Sequence, residues 1–247
     1  MHFKVLACDV FTREISWCIA RCPHSISVNY TPRGEHNKSD RLRLNLQQQI
    51  DAVEQEEIQY DAVLLAYGLC GNAILGIEAR NTPVVIPRAH DCTTLFLGSK
   101  EAFVEHFGDN PSQTWATVGY AERSDSIISD SSAGDHLGLP SNYDELVEQY
   151  GEENAQFLLE ALRTEHGSDE LFIIDIPETH IDMTFEWILA QAEGSGLKPR
   201  ILTGNMRLFE GLVAGEWDDE DYLVLPPGHK VTAVYDMNRI IDYEPYR

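Results

Sequence analysis

Lysine, long apolar runs and basic clusters are scarce in this chain, and each shortage excludes a class of protein. Only five of the 18 basic residues are lysines, and 41 acidic residues leave a net charge of −23. Such a surface repels phosphate backbones, so we expect no nucleic-acid partner. No apolar run approaches the roughly 20 residues that span a bilayer, and the first one is too short for a signal peptide. We therefore expect a cytoplasmic protein without a membrane anchor.

Cysteine is also sparse, at five residues in a chain of 247. An odd number of cysteines in a large chain without an export signal argues against a disulfide framework. We expect reduced thiols that are buried, catalytic or bound to a metal. With 43% hydrophobic residues, the chain has enough apolar side chains to bury a core.

Strand-like apolar runs alternate with amphipathic helical runs, which is typical of βαβ units around a parallel sheet. We predict an α/β fold, a two-lobed, Rossmann-like three-layer sandwich with mainly parallel sheets. The predicted strands cover residues 3–7, 26–30, 62–67, 83–87, 171–176, 200–203 and 222–225, with further edge strands at 231–235 and 240–243. The main predicted helices cover residues 13–20, 39–53, 93–107, 143–162, 181–192 and 206–214.

A polar stretch over residues 124–142 has little helical pattern and contains Gly134, Gly138 and Pro140. We interpret it as a loop or hinge. It divides the chain into an N-terminal lobe, residues 1–123, and a C-terminal lobe, residues 143–247. The N-terminal lobe carries most of the chemically distinctive residues.

Three cysteines and one histidine follow predicted strands of the N-terminal lobe. Cys8 follows the first strand, Cys70 follows the strand at 62–67, and His90 and Cys92 follow the strand at 83–87. Because the carboxyl ends of parallel strands meet at one edge of a sheet, we expect these side chains to lie close together. Thiolate and imidazole are preferred zinc ligands, so all four or three of them would form a metal site. The alternative is that each cysteine is a small core residue.

Other residues near these strand ends suggest ligand contacts. Gly68, Gly71 and Asn72 permit a tight turn that brings backbone N–H groups near a ligand. Arg88 could bind a substrate carboxylate, although a structural salt bridge is an alternative. His229 follows a strand of the second lobe and is a candidate for acid–base catalysis at a cleft between the lobes, or else a surface histidine. Asp91 is expected to orient His90, to cap a helix, or to do both.

Several strings in the sequence resemble the family catalogued as domain of unknown function 1638. They are residues 67–72 (YGLCGN), 86–99 (IPRAHDCTTLFLGS), 150–155 (YGEENA) and 221–229 (DYLVLPPGH). The resemblance implies a bacterial or archaeal cytoplasmic protein, with a link to corrinoid-dependent methyl metabolism. It implies no specific activity.

The ligand types are also similar to those of zinc enzymes that transfer a methyl group to a thiol, which use a His-X-Cys pair and a distant cysteine. Here His90 and Cys92 form the pair, but the lone cysteines precede it, and those enzymes are barrels, so only the ligand set is similar. Our leading hypothesis is a zinc protein that activates a thiol for corrinoid-linked methyl transfer, with a small molecule or a corrinoid protein as partner. One alternative is a non-enzymatic binding protein for a corrinoid, a metal or a small anion. Another is a metal-free enzyme with Cys70 or Cys92 activated by His90.

Overall fold

The structure is a computed structural model of the whole chain. It describes residues 1–35, 38–110, 113–123, 147, 151–152, 169–234, 236 and 239–246. Contacts divide the chain into two compact units. The first contains residues 1–105, 176–179 and 204–247, and the second contains residues 106–175 and 180–203.

The first unit is built on a five-stranded sheet with the strand order β2-β1-β3-β4-β8. β1 to β4 are parallel, and β8 is antiparallel to β4. The strands of this sheet are β1 (His2–Cys8), β2 (Ser25–Thr31), β3 (Ala62–Ala66), β4 (Val84–Pro87) and β8 (Tyr222–Leu225). The helices of this unit are α1 (Thr12–Arg21), α2 (Ser39–Val53), α3 (Cys92–Leu97) and α7 (Arg207–Ala214), and α4 (Lys100–Phe107) begins in it.

Burial on both faces explains why the central strands are continuous apolar runs. All five residues of β3 are buried. The apolar residues of α2, Leu42, Leu46, Ile50 and Val53, recur at helical spacing and pack in one core with alternate strand residues such as Val63 and Leu65. α7 contacts β3 and β4. The parallel strands therefore have the layered packing expected of an α/β unit.

The end of the chain completes the first unit. After β8, the strands β9 (His229–Ala233) and β10 (Ile241–Pro245) form an antiparallel pair. Residues 204–247 belong to this unit, whereas the sequence placed them in a C-terminal lobe. The expected hinge at 124–142 and the helix at 143–162 lie outside the described residues, apart from Val147 and residues 151–152, and stay predictions.

The second unit contains a parallel three-stranded sheet with the order β5-β6-β7. Its core includes Leu171, Ile173 and Ile188. The elements of this unit are β5 (Trp115–Ala116), α5 (Val118–Ala121), β6 (Glu170–Asp175), α6 (Asp182–Gly194) and β7 (Lys198–Thr203). The α/β class and the mostly parallel sheets agree with the sequence. None of the helices in the described part of the chain is long and apolar enough to cross a membrane.

Candidate functional site

The carboxyl edge of the first sheet holds the residues that the sequence singled out. We call this region the thiol edge and define it as Cys8–Asp9, Tyr67–Asn72 and Arg88–Cys92. Backbone hydrogen bonds join its second and third segments: the Leu69 N–H donates to the Ala89 carbonyl at 2.8 Å, and the Cys70 N–H donates to the His90 carbonyl at 3.2 Å. The parallel strand order therefore brings these loops together as expected.

Cys70 adopts a backbone conformation that is rare for its residue type, and Asn72, a residue type that tolerates this conformation, shares it. Cys70, Gly71 and Asn72 have φ angles of 44°, 62° and 70°, so three successive residues form a left-handed turn. A non-glycine residue held in this region costs about 1–3 kcal/mol, and such strain clusters at functional sites. The Ala73 N–H closes the turn by donating to the Leu69 carbonyl at 3.0 Å. We call Cys70–Asn72 the left-handed turn.

The N-terminus of α2 holds the left-handed turn in place. The Ser39 hydroxyl donates to the Gly71 carbonyl at 2.8 Å, and Arg43 Nη2 donates to the Asn72 carbonyl at 2.9 Å. Within the described residues, neither the Gly71 N–H nor the Asn72 N–H donates a hydrogen bond. Both residues are exposed. The turn therefore presents two successive N–H donors, the arrangement that binds anions in backbone nests.

Burial shifts the pKa of four groups at the thiol edge, Tyr67, Cys70, His90 and Asp91, toward the uncharged form. Desolvation, then Asp91 and Cys8, raise the pKa of the Cys70 thiol, so it is protonated at neutral pH. Desolvation also raises the pKa of Tyr67, whose hydroxyl is hydrogen-bonded to that of Thr31, and the pKa of Asp91. Desolvation lowers the pKa of His90, opposed by the charge of Asp91 and aided by that of Lys100, which favours the neutral imidazole.

The segment that contains His90 has polar atoms without partners. The His90 Nε2 atom and the Thr94 hydroxyl are buried, and among the described residues neither has a hydrogen-bond partner. The His90 ring packs against Phe103, with 5.4 Å between ring centroids. Asp91 caps α3 by accepting from the N–H groups of Thr93 at 2.9 Å and Thr94 at 3.2 Å, which confirms the expected helix cap.

The expected zinc ligands do not converge in this structure. Among the described residues, no group of three or more His, Cys, Asp and Glu side chains could hold a metal ion. Cys8, Cys70, His90 and Cys92 all lie at the thiol edge, but their donor atoms do not form the tetrahedral set that zinc requires. We derive no metal-dependent step from these residues.

Arg88 lies in the core, where protein groups occupy its guanidinium. It is 2% exposed. Its Nε donates to the Asp219 carbonyl at 2.8 Å, its Nη2 donates to the Asp219 carboxylate at 2.9 Å, and its Nη1 donates to the carbonyls of Arg239 and Ile241. These bonds match the structural alternative for Arg88. Binding of a substrate carboxylate by this residue stays a prediction.

His229 lies at the opposite edge of the sheet from the thiol edge. β8 is antiparallel to β4, so Leu225 pairs with Val84 at the beginning of β4. Residues that follow β8 therefore emerge at the amino ends of the parallel strands. His229 is half-buried, its Nδ1 is hydrogen-bonded to the Pro227 carbonyl, and its ring contacts Tyr243. The structure does not bring it together with Cys70 or His90, and its acid–base role stays a prediction.

An open pocket in the first unit lies apart from the thiol edge. Arg207 within it is paired with Asp221 through both guanidinium nitrogens. The pocket is lined by Ser99, Glu101, Arg207, Asp218, Glu220 and Asp221. Because no residue of the thiol edge lines it, this acidic pocket is a separate feature.

Sequence reasoning missed Ser39 and Arg43 as parts of the site. Ser39 is the first residue of α2, and its contact with Gly71 spans 32 residues and depends on where the helix begins. Arg43 lies one helical turn after Ser39, and no sequence pattern singled it out.

A family model, "Protein of unknown function (DUF1638)", matches residues 30–213. The chain belongs to this family. The match includes the left-handed turn, His90 and the start of α2, and it confirms the resemblance seen in the sequence. No curated protein and no solved structure matches the chain at a significant level.

Proposed function

We propose that the DUF1638 protein binds a small oxyanion, a carboxylate or phosphate group of a metabolite, at the left-handed turn of the thiol edge. The observation that carries this proposal is the pair of exposed N–H groups on Gly71 and Asn72, which donate no hydrogen bond within the described part of the chain and lie in a turn held by side chains of α2. The fold holds Cys70 in a strained conformation at the start of the turn. The two N–H donors that follow it would bind the anion.

The electrostatic surroundings support an anion in a chain that is otherwise strongly acidic. Residues 33–43 contain four basic residues, Arg33, Lys38, Arg41 and Arg43, and two acidic ones, Glu35 and Asp40. Among the described residues no side chain caps the start of α2, and Ser39 in its first turn contacts Gly71, so the positive end of the helix dipole lies beside the left-handed turn. The Arg43 Nε atom is buried without a partner among the described residues.

We also propose the finer architecture predicted from the sequence, a two-lobed Rossmann-like sandwich. Ligands of such folds bind outside the carboxyl ends of the strands, where the thiol edge lies. Zinc binding, a corrinoid ligand and thiol methyl transfer remain sequence-based hypotheses without a supporting contact. The raised pKa of the Cys70 thiol argues against a free thiolate nucleophile.

Nuclear magnetic resonance titration tests the proposal directly. Acetate and inorganic phosphate, added at constant ionic strength against sodium chloride, should shift the amide resonances of Gly71 and Asn72. Arg43→Gln should weaken the binding of both anions about tenfold, because a charge-assisted contact near the turn is lost. Arg200→Gln is the matched control, since Arg200 is half-exposed and belongs to the second unit.

Two outcomes would contradict the proposal. Equal amide shifts with sodium chloride would mean that only bulk ionic strength acts. Equal affinities of Arg43→Gln and Arg200→Gln would mean that the anion binds elsewhere. Arg43 also donates a hydrogen bond to the Asn72 carbonyl, so its replacement could change the turn itself. The Arg43→Gln variant without added anion should therefore first show a Gly71 amide resonance like that of the unmodified protein.

A further inference from the structure

His90 and Thr94 carry buried polar atoms that have no hydrogen-bond partner among the described residues, and they lie at the segment that contacts the left-handed turn. Leaving a buried polar atom without a partner costs about 1–3 kcal/mol, so such atoms are uncommon in folded proteins. The Thr94 side chain is 0% exposed, and among the described residues its hydroxyl has no partner. The His90 Nε2 atom is also buried and has no hydrogen-bond partner among the described residues.

The backbone fixes His90 beside the proposed anion site. The His90 carbonyl accepts the Cys70 N–H at 3.2 Å, and Cys70 is the first residue of the left-handed turn. Gly68 packs so closely that a Cβ there would lie 2.6 Å from the Asp91 Cα atom. The left-handed turn therefore lies next to the residue that carries the buried Nε2 atom.

We infer that the bound metabolite is a hydroxylated oxyanion, such as a hydroxy acid, whose hydroxyl group pairs with His90. The inference rests on the proposed function. A neutral imidazole Nε2 either donates or accepts, depending on its tautomer, and a hydroxyl group satisfies either state. The Thr94 hydroxyl offers a second partner of the same kind. The packing of the His90 ring on Phe103 fixes the orientation of the imidazole before the ligand arrives.

Acetate and glycolate are matched probes because they differ by one hydroxyl group. Their dissociation constants are measured for the full chain from the Gly71 and Asn72 amide shifts. We expect glycolate to bind about fivefold tighter than acetate, the effect of one added hydrogen bond between neutral groups. His90→Phe should reduce this ratio to about one, because phenylalanine keeps the ring packing but has no Nε2 atom.

Three further variants separate ligand contact from a structural role. His90→Gln should restore part of the preference for glycolate, because an amide again pairs with the hydroxyl group. Thr94→Val should lower the ratio if its hydroxyl contacts the ligand. His2→Gln is the control, since His2 begins β1 at the other edge of the sheet, and its ratio should equal that of the unmodified protein.

The outcomes distinguish this inference from the proposed function. If neither anion shifts the Gly71 and Asn72 amides, the proposed function fails and the inference fails with it. If both anions bind with equal affinity, the anion site stands and the inference is wrong. The inference is also wrong if His90→Phe changes only the stability of the chain and leaves the glycolate preference intact, because water would then be the partner of Nε2.

Discussion

Gly68 and Asp91 approach so closely that no side chain larger than hydrogen fits between their backbones. A Cβ atom on residue 68 would lie 2.6 Å from Asp91 Cα and 2.7 Å from the Asp91 carbonyl carbon. The φ angle of Gly68 is not in the left-handed region, so space, and not backbone conformation, requires glycine here. This contact locks the loop after β3 against the loop after β4 and fixes the left-handed turn relative to His90.

Gly68→Ala should destabilise the protein by about 3 kcal/mol, because overpacking against backbone atoms forces the two loops apart. Chemical denaturation measures the loss in the free energy of unfolding. The same variant should weaken the binding of acetate, since the loop that carries Gly71 is displaced.

Gly194→Ala is the matched control for this substitution. Gly194 ends α6, and among the described residues a Cβ there would meet no atom within 4 Å. Alanine should leave the stability unchanged or increase it by up to about 1 kcal/mol, because it favours helix. Similar losses for both variants would show that the contact of Gly68 with Asp91 does not constrain the fold.

Arg88→Gln should lower the free energy of unfolding by about 3 kcal/mol, because the carbonyls of Arg239 and Ile241 would lose a buried charged donor. Arg200→Gln, at a half-exposed site, should change it by less than about 0.5 kcal/mol. Urea denaturation compares the two. If Arg88→Gln kept full stability but abolished acetate binding, Arg88 would be a ligand contact, as its position after β4 first indicated.

The stability contributed by His180 should depend on pH. Its Nδ1 lies 2.7 Å from the Asp175 carboxylate and its Nε2 lies 3.1 Å from the Asp182 carboxylate, both in the second unit. These carboxylates, with Asp175 first, raise the pKa of His180 above its ordinary value of 6.5. The contribution is therefore complete below about pH 6.5 and is lost as the pH rises through the raised pKa of the folded state.

His180→Gln tests this dependence through denaturation at several pH values. The difference in the free energy of unfolding between the unmodified protein and the variant should be largest in acid and should shrink toward alkaline pH. Asp182→Asn should give a smaller difference, because the Asp182 side chain is 96% exposed. A difference that grows with pH would exclude the proposed ion pairs.

Elemental analysis tests the zinc hypothesis independently of the anion site. If zinc binds as the sequence predicts, protein purified without a histidine tag should contain about one zinc ion per chain, and Cys70→Ser and Cys92→Ser should both lose it. Absence of zinc from all three samples would contradict the hypothesis. One zinc ion per chain that is lost in both variants would show that the four predicted ligands converge in solution.

Local patterns predicted the elements of the fold closely, because each pattern reports burial along a short segment. The strand at 222–225 has the predicted bounds, and the helix predicted at 206–214 spans Arg207–Ala214. The helix predicted at 93–107 is two helices, because Gly98 adopts a φ of 82° and ends α3. Glycine is the usual residue at such a helix end, so the signal was present but was not used.

Pairing between distant strands could not be predicted in the same way. The apolar run of β8 looks the same whether it lies parallel or antiparallel to β4, and its direction decides at which edge His229 emerges. The grouping of Cys8, Cys70 and His90 was predictable, since it follows from parallel order alone. Whether their donor atoms converge depends on turn geometry, such as the positive φ of Cys70, which the sequence does not encode in any simple pattern.

The position of β8 also sets the order in which the chain can fold during synthesis. β4 ends at residue 87, but its neighbour β8 begins at residue 222, so a translating ribosome must add more than 100 residues before that edge is paired. Both β6 and β7 are made before β8. The second sheet can therefore assemble on the ribosome while the first sheet still exposes an open edge, and the nascent chain is most prone to aggregation in that interval.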